Sequence, residues 1–534
     1  MRRNICLFAL LANLAACGGG GSGSSASSSG GSFSSGGSSS SASGSSNSYT
    51  AGVFLPESTF AAHCAAPRSG KDPITGVTYP DVAGTSTDEN NFLRSWTNDL
   101  YLWFSEVPDL DPSKYTTAAS YFPLLKTSAT TPSGAAKDKF HFTYATSTWE
   151  QLSQAGASVG YGAILDLVSD TPPRKVIFAY VQAGSPAANA SIARGATVTM
   201  IDSVSIDAND QTGIDTLNKG LSPSTAGESH TFTIQDAGQT TTRTVTLTAA
   251  SLTEITVPVV KVLPTSAGNV GYLLFTQHLA TSEQGLVTAF NSLKSQNLTD
   301  LVLDLRYNGG GYLDVASETA YMIAGTATAG RTFELTQFNS KHPSTDPVTG
   351  QSITPVGFHS TSQGFSVTAG QALPTLNLQR VFVLTTAETC SASESIINSL
   401  RGINVQVIQI GSTTCGKPYG FYPQDNCGTT YFSIEFRGVN DAGFGDYPDG
   451  FSPQNTTSNV GVTVPGCSVG DDFTHALGDT GELLLSTALS YRTSPSCPAP
   501  SGVDGLPALK RQVRGAAIEL ALSPLRQNRI LRRQ

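Results

Sequence analysis

Hydrophobic residues follow a helical period near the start of the sequence and a strand period further on. Between residues 88 and 107, large apolar side chains recur every three or four positions, which predicts an amphipathic helix that Pro108 stops. The residues of this aromatic stripe are Phe92, Trp96, Leu100 and Trp103. A stripe at this spacing is typical of a face packed against a core, so we expect packing there rather than binding.

The pattern changes between residues 155 and 263 to short runs rich in β-formers, separated by turn residues. Such runs predict β-strands. The predicted strands cover residues 176–181, 198–201, 230–234 and 242–247. We therefore expect a β-rich domain over residues 155–263.

From about residue 268, apolar strands alternate with amphipathic helices. The predicted strands cover residues 270–275, 301–305, 381–384 and 405–410, and the predicted helices cover 282–293, 314–323 and 391–400. This alternation is typical of βαβ units with right-handed crossovers. The predicted fold class is multidomain α/β, with functional sites where strands end and helices begin.

Composition and charge exclude some classes of function. The 534 residues are 39% hydrophobic, which is enough for real cores, and the net charge is −9. Nucleic-acid binding needs clustered Lys and Arg to neutralise phosphates, so we expect no nucleic-acid partner. We expect no cofactor either.

The N-terminal residues predict export and anchoring. Residues 1–17 carry a basic start, a short apolar stretch and small residues before Cys17, the pattern of a secretory signal. The end of this stretch resembles the bacterial lipobox, in which the cysteine is lipidated. Residues 18–49 are almost all Gly and Ser, which predicts a flexible tether. We expect a lipid anchor in the cell envelope, with Gly18 favouring the outer membrane; an ordinary signal peptide with a chance cysteine is the alternative.

Six further cysteines follow: Cys64, Cys390, Cys415, Cys427, Cys467 and Cys497. An even number in an exported protein permits disulfides. Proximity alone suggests the pairs 415–427 and 467–497, and fifteen connectivities remain open. The absence of a close pair such as C-x-x-C argues against a metal site.

A glycine turn ends one predicted strand, in the sequence Asp-Leu-Arg-Tyr-Asn-Gly-Gly-Gly over residues 304–311. Three successive glycines let the backbone adopt positive φ while a ligand approaches closely. An ordinary turn seldom needs three, which favours a functional role. The run is not a phosphate loop, because no G-K-[ST] follows it.

A serine begins the next predicted helix, in the sequence Thr-Cys-Ser-Ala-Ser-Glu over residues 389–394. At a helix start, free N–H groups and the helix dipole favour a developing negative charge near Ser391, and the Ala392 N–H could donate to an oxyanion. The alternative is structural, since Ser391 and Glu394 also have the spacing of a capping box.

A serine nucleophile needs a base, and Lys417 follows the next strand on the same predicted edge of the sheet. A neutral lysine amine can serve when burial lowers its pKa. Taken alone, this lysine could be a solvated loop residue. A histidine base is the competing mechanism, although none of His63, His141, His230, His278, His342, His359 and His475 lies in a motif directed at the serine. We expect His278 and His475 to be surface or satisfied core residues.

The three motifs in this order resemble the tail-specific or C-terminal-processing serine protease family over residues 88–485. The resemblance implies a crotonase-like α/β core and a catalytic group in which Ser391 is the nucleophile, Lys417 the general base and Glu394 the residue that orients the lysine. It also implies an oxyanion hole shared by the Ala392 N–H and the glycine turn, at Gly310 with its neighbour Gly309.

This chain departs from the common family pattern around the lysine. Pro418 follows Lys417, the interval from serine to lysine is one residue longer, and Cys390 and Cys415 flank the motif residues. If Cys415 pairs with Cys427, a disulfide would pin the loop that holds the lysine. These departures suggest a divergent subgroup.

The β-rich region resembles a PDZ domain of the kind found in exported proteases. The resemblance implies that the loop Gly160, Tyr161, Gly162 and Ala163 binds a peptide's C-terminal carboxylate while the peptide adds as a strand. Gly195 is followed by Ala196 where the family usually has Asp.

The predicted domains are a signal peptide (1–17), a linker (18–49), a helical domain (50–154), a PDZ-like domain (155–263), a serine peptidase core (264–498) and a disordered tail (499–534). Together they predict an envelope endopeptidase whose partners are protein or peptide substrates and, through the anchor, the membrane. A non-catalytic PDZ-containing scaffold is the main alternative. A lectin-like or adhesin lipoprotein would fit the tether but not the three motifs.

Overall fold

The structure is a computed structural model that describes residues 49–457, 460–501 and 528–530. The predicted signal peptide, Cys17, nearly all of the linker and most of the tail lie outside these residues. Within them, no helix has both the length and the apolar character needed to cross a membrane.

The N-terminal region contains the predicted aromatic helix. Its elements are α1 Ser86–Leu100, α2 Ala118–Tyr121, α3 Thr146–Ala155, β1 His63–Cys64, β2 Val82–Ala83 and β3 Phe142–Ala145, with short 3-10 turns at Glu57–Thr59, Phe104–Glu106, Pro112–Lys114 and Phe122–Leu124. Phe92, Trp96 and Leu100 are buried, as expected.

The predicted end of α1 at residue 107 is wrong by about two turns. The helix stops at Leu100, where the chain turns to contact a loop far along the sequence: the Leu102 N–H donates to the Ile434 carbonyl at 2.8 Å. Trp103 therefore lies off the helix and is only half-buried, with its ring centroid 4.7 Å from that of Tyr419.

The middle region is β-rich, as predicted. Its elements are β4 Ala157–Gly160, β5 Ala163–Ser169, β6 Lys175–Val181, α4 Pro186–Asn189, β7 Thr197–Ile201, β8 Val204–Ser205, α5 Gln211–Leu221, β9 Ser229–Gln235, β10 Thr242–Thr248 and β11 Ala250–Thr253. An antiparallel sheet runs in the order β10-β9-β7-β6-β5, and β11 pairs with β4. Leu217 of helix α5 packs in one apolar cluster with Phe178 and Phe232 of the sheet. This region therefore has a hydrophobic core of its own.

The third region holds the central sheet. Its elements are β12 Val259–Leu263, β13 Asn269–Leu274, α6 Ser282–Lys294, β14 Leu298–Asp304, β15 Gly310–Tyr312, α7 Leu313–Ala324, a 3-10 turn Gly325–Thr328, β16 Thr332–Gln337, β17 Val356–Gly357, β18 Arg380–Thr385, α8 Ala392–Gly402, β19 Gln406–Gly411, β20 Tyr419–Gly420, β21 Gln424–Asn426, β22 Thr429–Phe432, β23 Phe436–Val439, β24 Phe451–Pro453, β25 Val462–Val464, β26 Gly466–Ser468 and α9 Leu483–Thr493. The sheet order is β12-β13-β14-β18-β19-β26, parallel from β13 to β26.

The predicted alternation of strands and helices is confirmed in this sheet. Leu301 and Leu303 of β14 enter one apolar cluster and Val302 enters another, so both faces of the sheet are covered. Strands β14, β18 and β19 are neighbours and parallel, so the loops that follow them meet at one edge. These loops carry the glycine turn, the serine and the lysine.

The disulfides correct one prediction from proximity. Cys467 pairs with Cys497, as expected, but Cys427 pairs with Cys64 and Cys415 pairs with Cys390. Twelve positions separate Cys415 from Cys427 in the sequence, yet the chain turns away into β20 and β21 between them. Cys64 reaches Cys427 from 363 positions away.

Residues 528–530 belong to the segment expected to be disordered, and they form a strand instead. This strand, β27 Asn528–Ile530, pairs in parallel with β15 of the glycine turn.

Candidate active site

Ser391 lies immediately before α8, after strand β18. Its backbone has φ 60° and ψ −113°, and a non-glycine residue at such a positive φ costs about 1–3 kcal/mol and persists where its surroundings enforce it. The side chain is fully buried, and its Oγ has no hydrogen-bond partner within the described residues. Ser391 is the N-cap residue of α8, and the Glu394 carboxylate accepts from its backbone N–H at 2.9 Å, so this half of the predicted capping box is present while the serine is held under backbone strain.

The first turn of α8 provides donors beside this serine. Ala392 is the first residue of the helix and is fully buried. The first N–H groups of a helix have no partner within it, and they favour negative charge at that end. An oxyanion formed at Ser391 would meet this end of the helix.

The glycine turn reaches the same place from β14. Gly311 has φ 136°, and a Cβ there would lie 2.2 Å from the carbonyl oxygen of His278, so only glycine fits. The Gly310 N–H donates to Asn308 Oδ1 at 3.0 Å, and the Gly310 carbonyl accepts from the His278 N–H at 3.0 Å. In this structure the Gly310 N–H is thus engaged, and its predicted role in an oxyanion hole would require it to leave the asparagine.

Asn308 ties the glycine turn to the serine turn. Its carbonyl oxygen accepts from the Cys390 N–H at 3.1 Å and from Ser393 Oγ at 3.0 Å. Its side-chain amide donates to the carbonyl of Phe275 at 3.0 Å. The residue is fully buried, so it fixes the distance between the two turns.

Lys417 lies in the loop between β19 and β20 and is fully buried. Its Nζ is 4.7 Å from the ring centroid of Phe140 and 4.4 Å from that of Phe421. Burial lowers the pKa of Lys417 well below its ordinary value, and the charges of Asp138 and Glu394 offset only part of that change. Burial therefore favours the neutral form of this amine, the form that can accept a proton.

Glu394 binds the main chain of both loops. Its Oε2 accepts from the Ser391 N–H at 2.9 Å and from the Lys417 N–H at 2.8 Å, while its Oε1 accepts from the Gly416 N–H at 2.9 Å and from Thr414 Oγ1 at 2.5 Å. Burial raises the pKa of Glu394, and these hydrogen bonds oppose the rise. One carboxylate oxygen thus holds the backbones of the serine and the lysine together.

A disulfide reinforces this link. Cys390 precedes Ser391 and Cys415 precedes Gly416, and their Cα atoms are 5.1 Å apart. Gly416 has φ 80°, and a Cβ there would lie 2.3 Å from the Pro448 carbonyl oxygen. A disulfide therefore does hold the lysine loop, but it is the pair Cys390–Cys415, which joins this loop to the serine turn, and not the suggested pair with Cys427.

Only one set of described side chains has the spacing of a metal site: ligand atoms of Cys390, Glu394 and Cys415 lie within 4.8 Å of one another. Both sulfurs belong to the disulfide, so neither offers a thiolate.

Sequence reasoning missed the residues that the N-terminal region adds to this site. Asp138 accepts from Tyr101 Oη at 2.7 Å and from the Phe140 N–H at 2.9 Å, and Phe140 lies against the lysine. Lys139 Nζ donates to the Cys415 carbonyl at 2.7 Å. No sequence motif marks these residues, because they reach the site only through contacts with a loop almost 280 positions away in the sequence.

The two histidines discussed from sequence have different environments. His278 is fully buried beside the glycine turn, where its Nδ1 hydrogen bonds with Asn308 Oδ1 at 2.9 Å. Burial lowers the pKa of His278 to about 3, so the ring is neutral. His475 lies near the surface beside Asp472.

The predicted carboxylate loop lies at one end of the middle sheet. Gly160 ends β4 and Ala163 begins β5. Between them, Tyr161 is buried and donates through Oη to the Gly220 carbonyl of α5 at 2.9 Å, and Gly162 has φ 70°. Strand β5 is the last strand of its sheet within the described residues.

The fold defines a mixed α/β protein of several sheets, similar in architecture to a solved S41 protease. That protease, from Bacteroides fragilis NCTC 9343, superposes with a TM-score of 0.55 and 22% sequence identity, over 78% of this chain and 98% of the other. The likeness confirms the predicted fold class.

Sequence comparison finds relatives of part of the chain. Residues 269–420 match the model described as Peptidase family S41. A carboxyl-terminal-processing protease of Picosynechococcus sp. (strain ATCC 27264 / PCC 7002 / PR-6) is 29% identical over 177 residues, which are 32% of this chain and 39% of that protein. The chain thus spans less than half the length of this relative. It contains a peptidase family S41 domain, which confirms the resemblance predicted from the three motifs.

Proposed function

We propose that this protein is a serine endopeptidase of the cell envelope, with Ser391 as nucleophile and Lys417 as general base. The observation that carries the proposal is the buried pair of loops held by Glu394. On one side is a strained serine whose hydroxyl has no hydrogen-bond partner within the described residues, and on the other is a buried lysine of lowered pKa.

In the proposed reaction, Ser391 Oγ attacks a peptide carbonyl carbon and its proton passes to Lys417 Nζ. The tetrahedral intermediate collapses as the lysine returns that proton to the leaving amine, which leaves an acyl ester on the serine. Water then attacks the ester, with the lysine again accepting the proton, and the carboxylic acid product departs.

The negative oxygen of the intermediate would be stabilised by the start of α8 and by the glycine turn. The Ala392 N–H is the candidate donor from the helix. Gly310, with Gly309, is the candidate from the turn, after the Gly310 N–H leaves Asn308 Oδ1. Substrate binding would have to drive that change.

The middle region is proposed to recruit substrate as a PDZ-like domain. Its edge strand β5 and the turn at Gly162 suit an extended peptide that adds to the sheet with its carboxylate at the turn. Peptides with a free C-terminal carboxylate should then be cleaved faster than the same peptides with a C-terminal carboxamide. Equal rates would reject this role.

The envelope location is proposed from the Cys17 motif alone.

The dyad is tested with Ser391→Ala and Lys417→Met, assayed on a denatured, fluorescently labelled protein. Both variants should lose activity. Ser486→Ala and Lys294→Met are the matched controls at positions outside the site, and both should leave activity unchanged. Full activity in either dyad variant would contradict the proposal. Retained peptide binding without labelling of Ser391 by an acylating probe would favour the scaffold instead.

A further inference from the structure

Strand β27 lies between the glycine turn and the residues that follow β20. It pairs in parallel with β15, with Asn528 opposite Gly310 and Ile530 opposite Tyr312. A further bridge joins Ile530 to Phe421, which follows β20. Cα atoms of β27 also lie within 8 Å of Cα atoms in α8 and β20. The segment therefore runs past the glycine turn on one side and past the residues after Lys417 on the other.

The side chain of Ile530 anchors this strand. It is 1% exposed and belongs to an apolar cluster with Phe140 and Phe421, whose rings also lie against Lys417 Nζ. The same cluster includes Cys390 and Cys415, which form the disulfide beside Ser391. Ile530 thus fills an apolar pocket that adjoins both members of the proposed dyad.

Strand pairing together with a side-chain pocket is how proteins bind an extended peptide. Main-chain pairing with a strand supplies affinity, and a pocket for one side chain supplies selectivity. A serine peptidase must hold its substrate extended along the loop that receives the oxyanion, and β15 belongs to that loop. Residues 528–530 take the place that a substrate backbone would need.

We propose that the segment around Ile530 is an internal, substrate-like occupant of the cleft that competes with peptide substrates. This inference rests on the proposed function, since it takes the cleft at Ser391 as the place of cleavage. A competing internal segment reduces the fraction of molecules open to substrate, and the apparent KM rises in proportion while kcat is unchanged. Occupancy of about nine-tenths would raise KM about tenfold.

The kinetic test uses the full chain with Ile530→Asp, which places a charge in the apolar pocket. KM for a peptide substrate should fall about tenfold while kcat stays within twofold. A chain ending at Ser501 should behave in the same way. The matched control is Ile518→Asp, the same change in the same tail but outside the described residues, which should leave KM unaltered. Equal KM in Ile530→Asp and the unaltered chain would overturn the inference.

A binding test separates failure of this inference from failure of the proposed function. In a Ser391→Ala background, a fluorescent peptide with the sequence of residues 524–534 should bind the chain that ends at Ser501 at least tenfold more tightly than the full chain. Absence of such binding overturns the inference. A third outcome is that the peptide binds as expected but the chain with Ser391 intact hydrolyses no substrate. That outcome would support internal occupancy of this cleft and reject the peptidase function.

Discussion

Two buried basic residues, Arg306 and Lys417, lie at the same edge of the central sheet, and their pKa values shift in opposite directions. Arg306 follows β14 and hydrogen bonds with three carboxylates: Asp304 at 2.9 Å, Asp471 at 2.7 Å and Glu482 at 2.8 Å. Burial alone would lower the pKa of Arg306, but these carboxylates more than offset it and the pKa stays well above its ordinary value. This cation remains charged.

Lys417 is equally buried, and the charges of Asp138 and Glu394 offset only part of the effect of burial on its pKa. Asp138 accepts from Tyr101 and from a backbone N–H, and Glu394 accepts from the backbones of both loops. Aromatic rings adjoin the amine, and its pKa falls. The same edge thus contains a charged ion network at Arg306 and, in the proposed function, an amine of lowered pKa that acts as the base.

The largest expected effect comes from Lys417→Met. If the neutral amine is the base, kcat/KM should fall at least about a thousandfold. Stability should rise at neutral pH, because the variant no longer buries an amine whose charged form burial disfavours. Denaturant unfolding and steady-state kinetics measure the two effects. If Lys417→Met lost stability and kept its activity, Lys417 would be a structural cation like Arg306 and not a base.

Arg306→Met tests the buried ion network, the other side of the comparison. It leaves the buried carboxylates of Asp304 and Glu482 without their cation, while Asp471 keeps its pair with Arg194, so the free energy of unfolding should fall by about 3–5 kcal/mol. Arg331→Met is the matched control, because its pair with Asp441 is half exposed and should cost no more than about 1 kcal/mol. Equal losses in both variants would show that the buried network has no special role.

Glu394→Gln should have a smaller effect that is specific to the site. The amide nitrogen would face two N–H or O–H donors, so the serine and lysine loops lose part of their common support. We expect kcat/KM to fall by about tenfold to a hundredfold, mainly through kcat. A change confined to KM would indicate a role in substrate binding rather than in positioning the two loops.

Local patterns predicted most of the central sheet. The apolar runs at β14 and β18 and the amphipathic period of α6 each reflect burial within their own segment, so the sequence revealed them. The edge carrying Ser391 and Lys417 could be predicted because parallel strands end on the same side. The end of α1 could not, because the residues after Leu100 pair with Ile434, far along the chain.

Long-range contacts account for what the sequence did not reveal. The pairing of Cys390 with Cys415 depends on two loops meeting at the sheet edge, and nearness in sequence suggested another partner. Phe140 and Asp138 enter the lysine pocket from the N-terminal region without a recognisable motif. The strand at Ile530 lies in a tail whose composition gave no sign of order.

The central claim is that Lys417 is a neutral base for Ser391, and the pH dependence of Ser391 acylation tests it most directly. Because only the neutral amine accepts a proton, the rate with an acylating probe should be lost as pH falls through the lowered pKa of Lys417 and should level off above it. The midpoint should lie well below the ordinary lysine value, and the dependence should vanish with the activity in Lys417→Met. An acid limb that persists in Lys417→Met, at an undiminished rate, would contradict the account.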